Sequence, residues 1–191
     1  MNAVITDSHI VYTSGKHGTS YFNKDAIYPH TQLTSQFCLE IAQHFAHQPI
    51  DVVIAPAVGG VILSQWVAHH LTLLVGREVL GVYAEKSEST DSFVIKRGYD
   101  ALCRSKNVLV VEDVLTTGGS VKKVVEAVRA LPAKVMAVAA LCNRGNVTTA
   151  QLGEVPELFS RFTMQMQAWD AKDCPLCEKR IPINTQVGKG K

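Results

Sequence analysis

The chain lacks a dominant charge. Its 19 Lys+Arg against 17 Asp+Glu leave a formal +2, and only 19% of residues are charged. That argues against a nucleic-acid-binding surface spread over the whole molecule and leaves room only for a local basic patch. No apolar run approaches the length of a membrane span. The opening residues, MNAVITD, lack a basic segment followed by an apolar one, so no secretory signal is expected. A soluble cytoplasmic protein follows as the expectation, with no nucleic-acid and no membrane partner. No internal repeat, low-complexity linker or helix-turn-helix segment is visible. Both common nucleotide signatures are missing: there is no Gly-x4-Gly-Lys-[Ser/Thr] and no Gly-x-Gly-x-x-Gly.

Cysteine is also sparse. The five residues Cys38, Cys103, Cys142, Cys174 and Cys177 are odd in number and follow no signal, which does not describe a disulfide framework. Cys174-Pro175-Leu176-Cys177 has metal-ligand spacing, but no second Cys-x-x-Cys and no nearby His pair completes four ligands. Buried or idle thiols are therefore expected and no metal ligand is assigned, while zinc binding or a redox pair at Cys174 and Cys177 stays open. His69-His70 reads as a pair of helix residues, since neighbours on a helix point in different directions.

What the chain does have is residues 108–120, VLVVEDVLTTGGS. The run Val108, Leu109, Val110, Val111 suits a strand buried on both faces of a parallel sheet. Glu112 and Asp113 are expected where that strand ends. Thr116, Thr117, Gly118, Gly119 and Ser120 then offer N–H groups and hydroxyls to an anion at the start of a helix, where the dipole also favours negative charge. Bulk at Gly118 is expected to collide with that anion. Two adjacent acids would repel a phosphate, but they suit ribose hydroxyls or water around a divalent metal. The combination points to a ligand carrying both hydroxyls and phosphate, such as a phosphorylated ribose.

At 191 residues the chain is long enough for one well-buried domain, and 47% apolar residues supply a core. Four-residue spacing of Leu33, Phe37, Ile41 and Phe45 predicts a helix over 32–47. A short strand over 51–55, a turn over 55–60, a helix over 61–74 and a strand over 78–84 follow. A polar hairpin tip over 85–91 leads to a returning strand over 92–97. After 108–111 comes a helix over 120–130, with Val121, Val124, Val125 and Val128 on one face, and then a strand over 134–141. The alternation favours an α/β fold with a mostly parallel central sheet flanked by helices, whose ligands sit at the carboxyl ends of strands. Val58, Gly59 and Gly60 fall at one such end and form a second candidate anion cradle.

These motifs resemble type I phosphoribosyltransferases, in which an apolar strand leads to an acidic pair and a Thr/Gly/Ser loop. The resemblance implies that Glu112 and Asp113 contact ribose hydroxyls, that residues 116–120 hold the 5-phosphate, and that 56–60 form the pyrophosphate loop. Within that superfamily the chain is most similar to orotate phosphoribosyltransferases, from about Ser14 to Ile183. Ser14-Gly15 precedes the aromatic pair Tyr21-Phe22, then Asn23 and Lys24, and by that match the rings lie over the pyrimidine. Arg144, in Asn143-Arg144-Gly145, matches the arginine placed on the orotate carboxylate. Residues 173–177 with Ile181-Pro182-Ile183 resemble the C-terminus of one subgroup. Two departures stand out. Thr13 replaces a lysine common before the Ser-Gly, and the loop from Ala84 to Gly98 is shorter than usual and lacks histidine, leaving Lys86, Lys96 and Arg97 as the cations for pyrophosphate.

The resemblance implies one phosphoribosyltransferase domain over 1–191 with a small hood from about 1–32 and 158–185. It implies transfer of phosphoribosyl from phosphoribosyl pyrophosphate to orotate, a magnesium cofactor and a homodimer. Transfer to another base such as a purine, and a non-catalytic regulator that keeps the phosphate cradles, stay open at this point. So does whether the hairpin cations act in their own or a neighbouring subunit.

Overall fold

β-Branched runs separated by amphipathic segments pair side by side when helices can cover both faces of the sheet. The computed structural model describes residues 3–12, 15–164 and 167–187. Thr13, Ser14 and the terminal segment 188–191, expected to fray, lie outside the described residues. Along the chain run β1 (Val4–Ile5), β2 (Ile10–Val11), β3 (His17–Gly18), β4 (Tyr21–Phe22), α1 (Thr31–Phe45), β5 (Val52–Pro56), α2 (Val61–Val75), β6 (Leu80–Lys86) and β7 (Phe93–Val94). They are followed by α3 (Tyr99–Cys103), β8 (Asn107–Leu115), α4 (Gly119–Arg129), β9 (Lys134–Asn143), β10 (Leu158–Thr163), β11 (Ala168–Trp169) and α5 (Pro175–Glu178). The chain divides into two compact units, Thr31–Met164 and the two chain ends Met1–His30 with Gln165–Lys191.

The central unit carries a six-stranded sheet in the order β10-β9-β8-β5-β6-β7. All neighbours are parallel except β7, which runs antiparallel to β6. The expected α/β class is the one observed. Val121, Val124, Val125 and Val128 bury one face of α4 against Val108, Val110 and Val138 of the sheet. Each such valine contributes about 1.5–3 kcal/mol of gross hydrophobic stabilisation. Helix α2 packs on β5, β6 and β8, and α1 packs on α2. Cys38, Cys103 and Cys142 are fully buried. Burial pushes the Cys38 thiol up to about 12 and those of Cys103 and Cys142 to about 11, so they stay protonated and fill the core.

Three boundaries differ from the sequence reading. Strand β8 does not stop before the acids. Its pairing with β9 continues to Leu115↔Asn143, so Glu112 and Asp113 lie inside the strand. The returning strand expected over 92–97 shrinks to Phe93–Val94, because Arg97 and Gly98 both take positive φ, 64° and 79°, and turn the chain. Residues 158–163 are not part of a hood: they form β10, which pairs in parallel with β9 at the sheet edge.

The terminal unit is built differently. Strands β2, β3 and β11 make a small antiparallel sheet, and β1 pairs with β4. Its buried apolar cluster consists of Ile10, Tyr12 and Val187, with Ile5 and Tyr21 packed against them.

Gly60 sets how closely α2 approaches the sheet. A Cβ there would stand 2.7 Å from the Ala55 Cβ and 3.2 and 3.3 Å from the carbonyl oxygens of Pro56 and Val111. Gly60→Ala should cost about 1–3 kcal/mol by overpacking, read as a lower urea midpoint; an unchanged midpoint would contradict the close approach.

Candidate active site

Strand order creates the site. From β5 the chain moves to β6 on one side, and β8 then returns to the other side of β5. The carboxyl ends of β5 and β8 therefore flank the point where the winding reverses, the usual place for a ligand in an open parallel sheet. The two strands part there. Their pairing ends at Ile54↔Val110, and beyond it the Ala57 N–H bonds to the Ala84 carbonyl on the β6 side. Strand β8 alone continues, held by β9.

Its continuation ends in an open depression of about 120 Å³ lined by Glu112 and residues 114–121. Thr116, Thr117, Gly119 and Ser120 are exposed there. Gly118 takes φ 76° and turns the strand into α4, whose N-terminus has no side-chain cap. Its first N–H groups lack intrahelical partners and point at the depression with the positive end of the dipole. The Thr117 hydroxyl accepts the Gly119 N–H at 3.4 Å, which leaves its own hydrogen for an anion. Glu112 and Asp113 are buried. The Glu112 Oε1 accepts the Asp113 N–H at 3.0 Å, and the Asp113 Oδ1 accepts the Val114 N–H at 2.6 Å. Side chains alternate along a strand, and of the two acids Glu112 is the one that lines the depression.

Gly118 has a different role from the one expected. A Cβ there would meet Leu152 Cδ2 at 2.6 Å and Val147 Cγ1 at 2.9 Å, so the glycine is demanded by the protein behind the loop as well as by its φ. Gly119 is the position with space: its nearest contact would be the Thr117 Oγ1 at 3.5 Å.

Arg144 joins this loop. Its Nε donates to the Thr116 Oγ1 at 3.0 Å, and the N–H groups of Arg144 and Gly145 bond to the Leu115 carbonyl at 3.0 and 3.2 Å. Gly145 cannot carry a side chain, because its Cβ would run into the Thr116 carbonyl. Asn143, to which the sequence reading gave no role, is buried and bridges its own turn. Its Nδ2 donates to the Val147 carbonyl at 2.9 Å, and its Oδ1 accepts the Val147 N–H at 3.0 Å. Asn143 and Gly145 are thus positioning residues for Arg144; the signal was the Asn-x-Gly spacing at a strand end.

In the loop after β5, Val58 is 86% exposed and the Ala57–Val58 peptide is cis. Gly59 stands beside it, whereas Gly60 takes ordinary helical φ of −75° and serves packing. Lys86, Lys96 and Arg97 lie exposed on the β6–β7 hairpin. The Arg97 Nε donates to Glu85 Oε1 at 2.6 Å, and the guanidinium stands 6.0 Å from the Tyr83 ring centroid. The hairpin is tied to α4 by Lys123–Asp91 at 2.6 Å. In the terminal unit, Phe22 is buried, Tyr21 is half-buried in β4, and Lys24 opens a short 3₁₀ turn.

Residues 26–173 match the family model described as the phosphoribosyl transferase domain. The chain belongs to the phosphoribosyltransferase family. Among its relatives, the orotate phosphoribosyltransferase of Chlorobaculum parvum is 36% identical over 183 residues, covering 96% of this chain and 89% of the relative. That of Desulforamulus reducens is 37% identical over 174 residues, covering 91% and 85%. The fold is that of solved phosphoribosyltransferases. Orotate phosphoribosyltransferase from Mycobacterium tuberculosis H37Rv in complex with inorganic phosphate superposes with a TM-score of 0.65 at 20% identity, covering 85% of this chain and 89% of that one. The adenine enzyme from Thermoanaerobacter pseudethanolicus reaches 0.62 at 17% identity, covering 77% and 89%.

The geometry separates two glycines of this phosphoribosyltransferase loop. Gly119→Ala should leave the urea midpoint unchanged or slightly higher, since alanine favours a helix by up to about 1 kcal/mol, yet weaken binding of ribose 5-phosphate several-fold. Thr117→Val should cost about 1.5–3 kcal/mol of that affinity, a hydrogen bond to a charged group. Gly118→Val should instead lose stability. Calorimetric titration beside urea denaturation reads all three, and full affinity in both Gly119→Ala and Thr117→Val would remove the cradle.

Proposed function

We propose that this phosphoribosyltransferase moves the phosphoribosyl group of phosphoribosyl pyrophosphate to orotate, giving orotidine 5-phosphate and pyrophosphate. The observation that carries the reading is the acid pair running into an uncapped helix start at the sheet's switch point, with Arg144 bonded to the same loop. Relatives named orotate phosphoribosyltransferase align with more than nine-tenths of the chain, and that supports orotate as the acceptor.

In the reaction the bond from ribose C1 to pyrophosphate breaks and a bond from C1 to a ring nitrogen of the base forms. Positive charge develops on the ribose and negative charge on the leaving group, so catalysis is positioning plus electrostatics. The Thr117 hydroxyl and the α4 N-terminus hold the 5-phosphate. Glu112, with Asp113 beside it, binds ribose hydroxyls and favours the developing positive charge. The loop at Val58 and Gly59 faces the pyrophosphate end. Lys86, Lys96 and Arg97 neutralise the departing charge, Arg97 by exchanging Glu85 for a phosphate oxygen. Arg144 recognises the carboxylate that distinguishes orotate from uracil, since a planar guanidinium suits a carboxylate. Tyr21 offers a ring face for a planar base.

Magnesium is part of the same proposal. The donors at the depression are the Glu112 carboxylate and the hydroxyls of Thr116, Thr117 and Ser120, the hard oxygen set this ion takes, and Glu112 would hold it with waters retained. Once bound it supplies charge neutralisation to the pyrophosphate. A homodimer and a cytoplasmic location also belong to the proposal; among the described residues no helix is long and apolar enough to cross a membrane.

The test is product formation with orotate, uracil, adenine, guanine and xanthine, each with phosphoribosyl pyrophosphate and magnesium. Orotidine 5-phosphate should dominate; a purine nucleotide in its place would move the reading to another base. Arg144→Ala should raise the KM for orotate by about tenfold or more, the scale of one lost charge-assisted bond, with a much smaller change for phosphoribosyl pyrophosphate. Equal losses for both would deny the specificity role.

A further inference from the structure

The sequence offered the Cys174–Cys177 pair no partners, because none lie near it in the chain. The fold of the terminal unit supplies them from the other chain end. His9, His17, Cys174 and Cys177 bring one ligand atom each within 4.8 Å of one another. From this convergence we propose that the terminal unit holds a structural zinc ion, bound by His9 Nε2, His17 Nδ1 and the two cysteine sulfurs.

The pairing of short elements makes the cluster. Strands β2 and β3 form a hairpin in register Ile10↔Gly18, which sets His9 at its edge near His17. Cys174 precedes α5 and Cys177 lies within it; a spacing of three on a helical turn puts both thiols on one side. His9 Nε2 lies 2.8 Å from His17 Nδ1 and 3.7 Å from each sulfur, and His17 Nδ1 lies 3.3 Å from the Cys177 sulfur. Tetrahedral zinc with nitrogen at about 2.0 Å and sulfur at about 2.3 Å places its ligand atoms about 3.3–3.8 Å apart. Zinc would part the two imidazoles slightly and draw in any ligand pair wider than this, none of which exceeds 4.8 Å.

The surroundings suit a ligand set better than a packing cluster. His9 Nδ1 is 2.7 Å from the Ile181 carbonyl. Donation of its N–H there fixes the tautomer and turns the Nε2 lone pair toward the cluster, the outer-shell arrangement typical of metal-bound histidine. His9, His17 and Cys174 are buried, and all five cysteines are free thiols. Two sulfurs and two imidazoles, with no oxygen donor in the set, select zinc over magnesium or calcium. The set is closed at four protein ligands, so it has no open position for chemistry and its role is structural.

The need for such a site follows from size. The terminal unit has Ile10, Tyr12 and Val187 as its buried apolar cluster, and small units without a sufficient core are held by disulfides or metals. Zinc here joins residues on opposite ends of the chain, so its binding free energy is folding free energy for that unit. The assignment does not depend on the base or the reaction.

The experiment is metal analysis of the full-length protein, purified without chelators from zinc-supplemented cells. About one zinc per chain is expected, and cobalt substitution should give the thiolate charge-transfer and tetrahedral ligand-field bands of an S₂N₂ site. Cys177→Ser, at the most exposed ligand, should lower zinc content several-fold. Chelation followed by excess magnesium should increase hydrogen exchange in 3–12 and 167–187 while leaving β8 and β9 protected. Negligible zinc in the wild-type protein with no cobalt spectrum, another transition metal in its place, or a Cys174–Cys177 disulfide by mass would each overturn the assignment.

Discussion

Everything in the central unit that touches chemistry depends on β8 outlasting its neighbour. From Val108 to Val110 it is an interior strand, paired on both sides and fully buried. Past that residue β5 turns toward β6 and β8 keeps a partner on the β9 side. An acidic pair in a strand flanked on both sides would have to be desolvated without compensation. At the opened end, one carboxylate oxygen of each acid takes a neighbouring backbone N–H. Beyond the divergence, the continuation of β8 runs into the open depression at the start of α4. Site and fold share one constraint, the reversal of winding between adjacent parallel strands.

That constraint also explains why Arg144 is where it is. Strand β9 ends at Asn143, level with Leu115 of β8, so the two carboxyl ends emerge together. The backbone of Arg144 and Gly145 then closes on the Leu115 carbonyl, and the arginine side chain reaches the Thr116 hydroxyl. Substituting Gly145 would push these two loops apart. The contact between Arg144 and Thr116 thus joins the loop after β9 to the loop that opens α4 without any additional element.

The legible parts of the sequence were those whose physics is local. The valine stripe of α4, the apolar start of β8 and the position of the turn into α4 each carry their signal within a dozen residues, and each lies where the spacing puts it. Three features were hidden because their cause lies elsewhere in the chain. The acids fall inside β8 because β9 continues beside them. Residues 158–163 join the sheet because β9 has a second edge to fill, as Leu158↔Val138 shows. Gly118 is required by Leu152 and Val147, more than thirty and almost thirty residues away. The four ligands of the terminal unit are the extreme case. His9 and Cys174 are separated by 165 positions, and nothing in either segment announces the other.

The two units therefore reach stability by different physics. The central unit buries valine against valine over six strands, a diffuse term to which no single contact is essential. The terminal unit is too small for that and gathers its order at a point, with four side chains, one carbonyl and one ion. A diffuse core tolerates replacement of any one residue by a similar volume, whereas a coordination site fails with the loss of one ligand atom. Histidines 9 and 17 and cysteines 174 and 177 should therefore be the least replaceable residues of the chain ends.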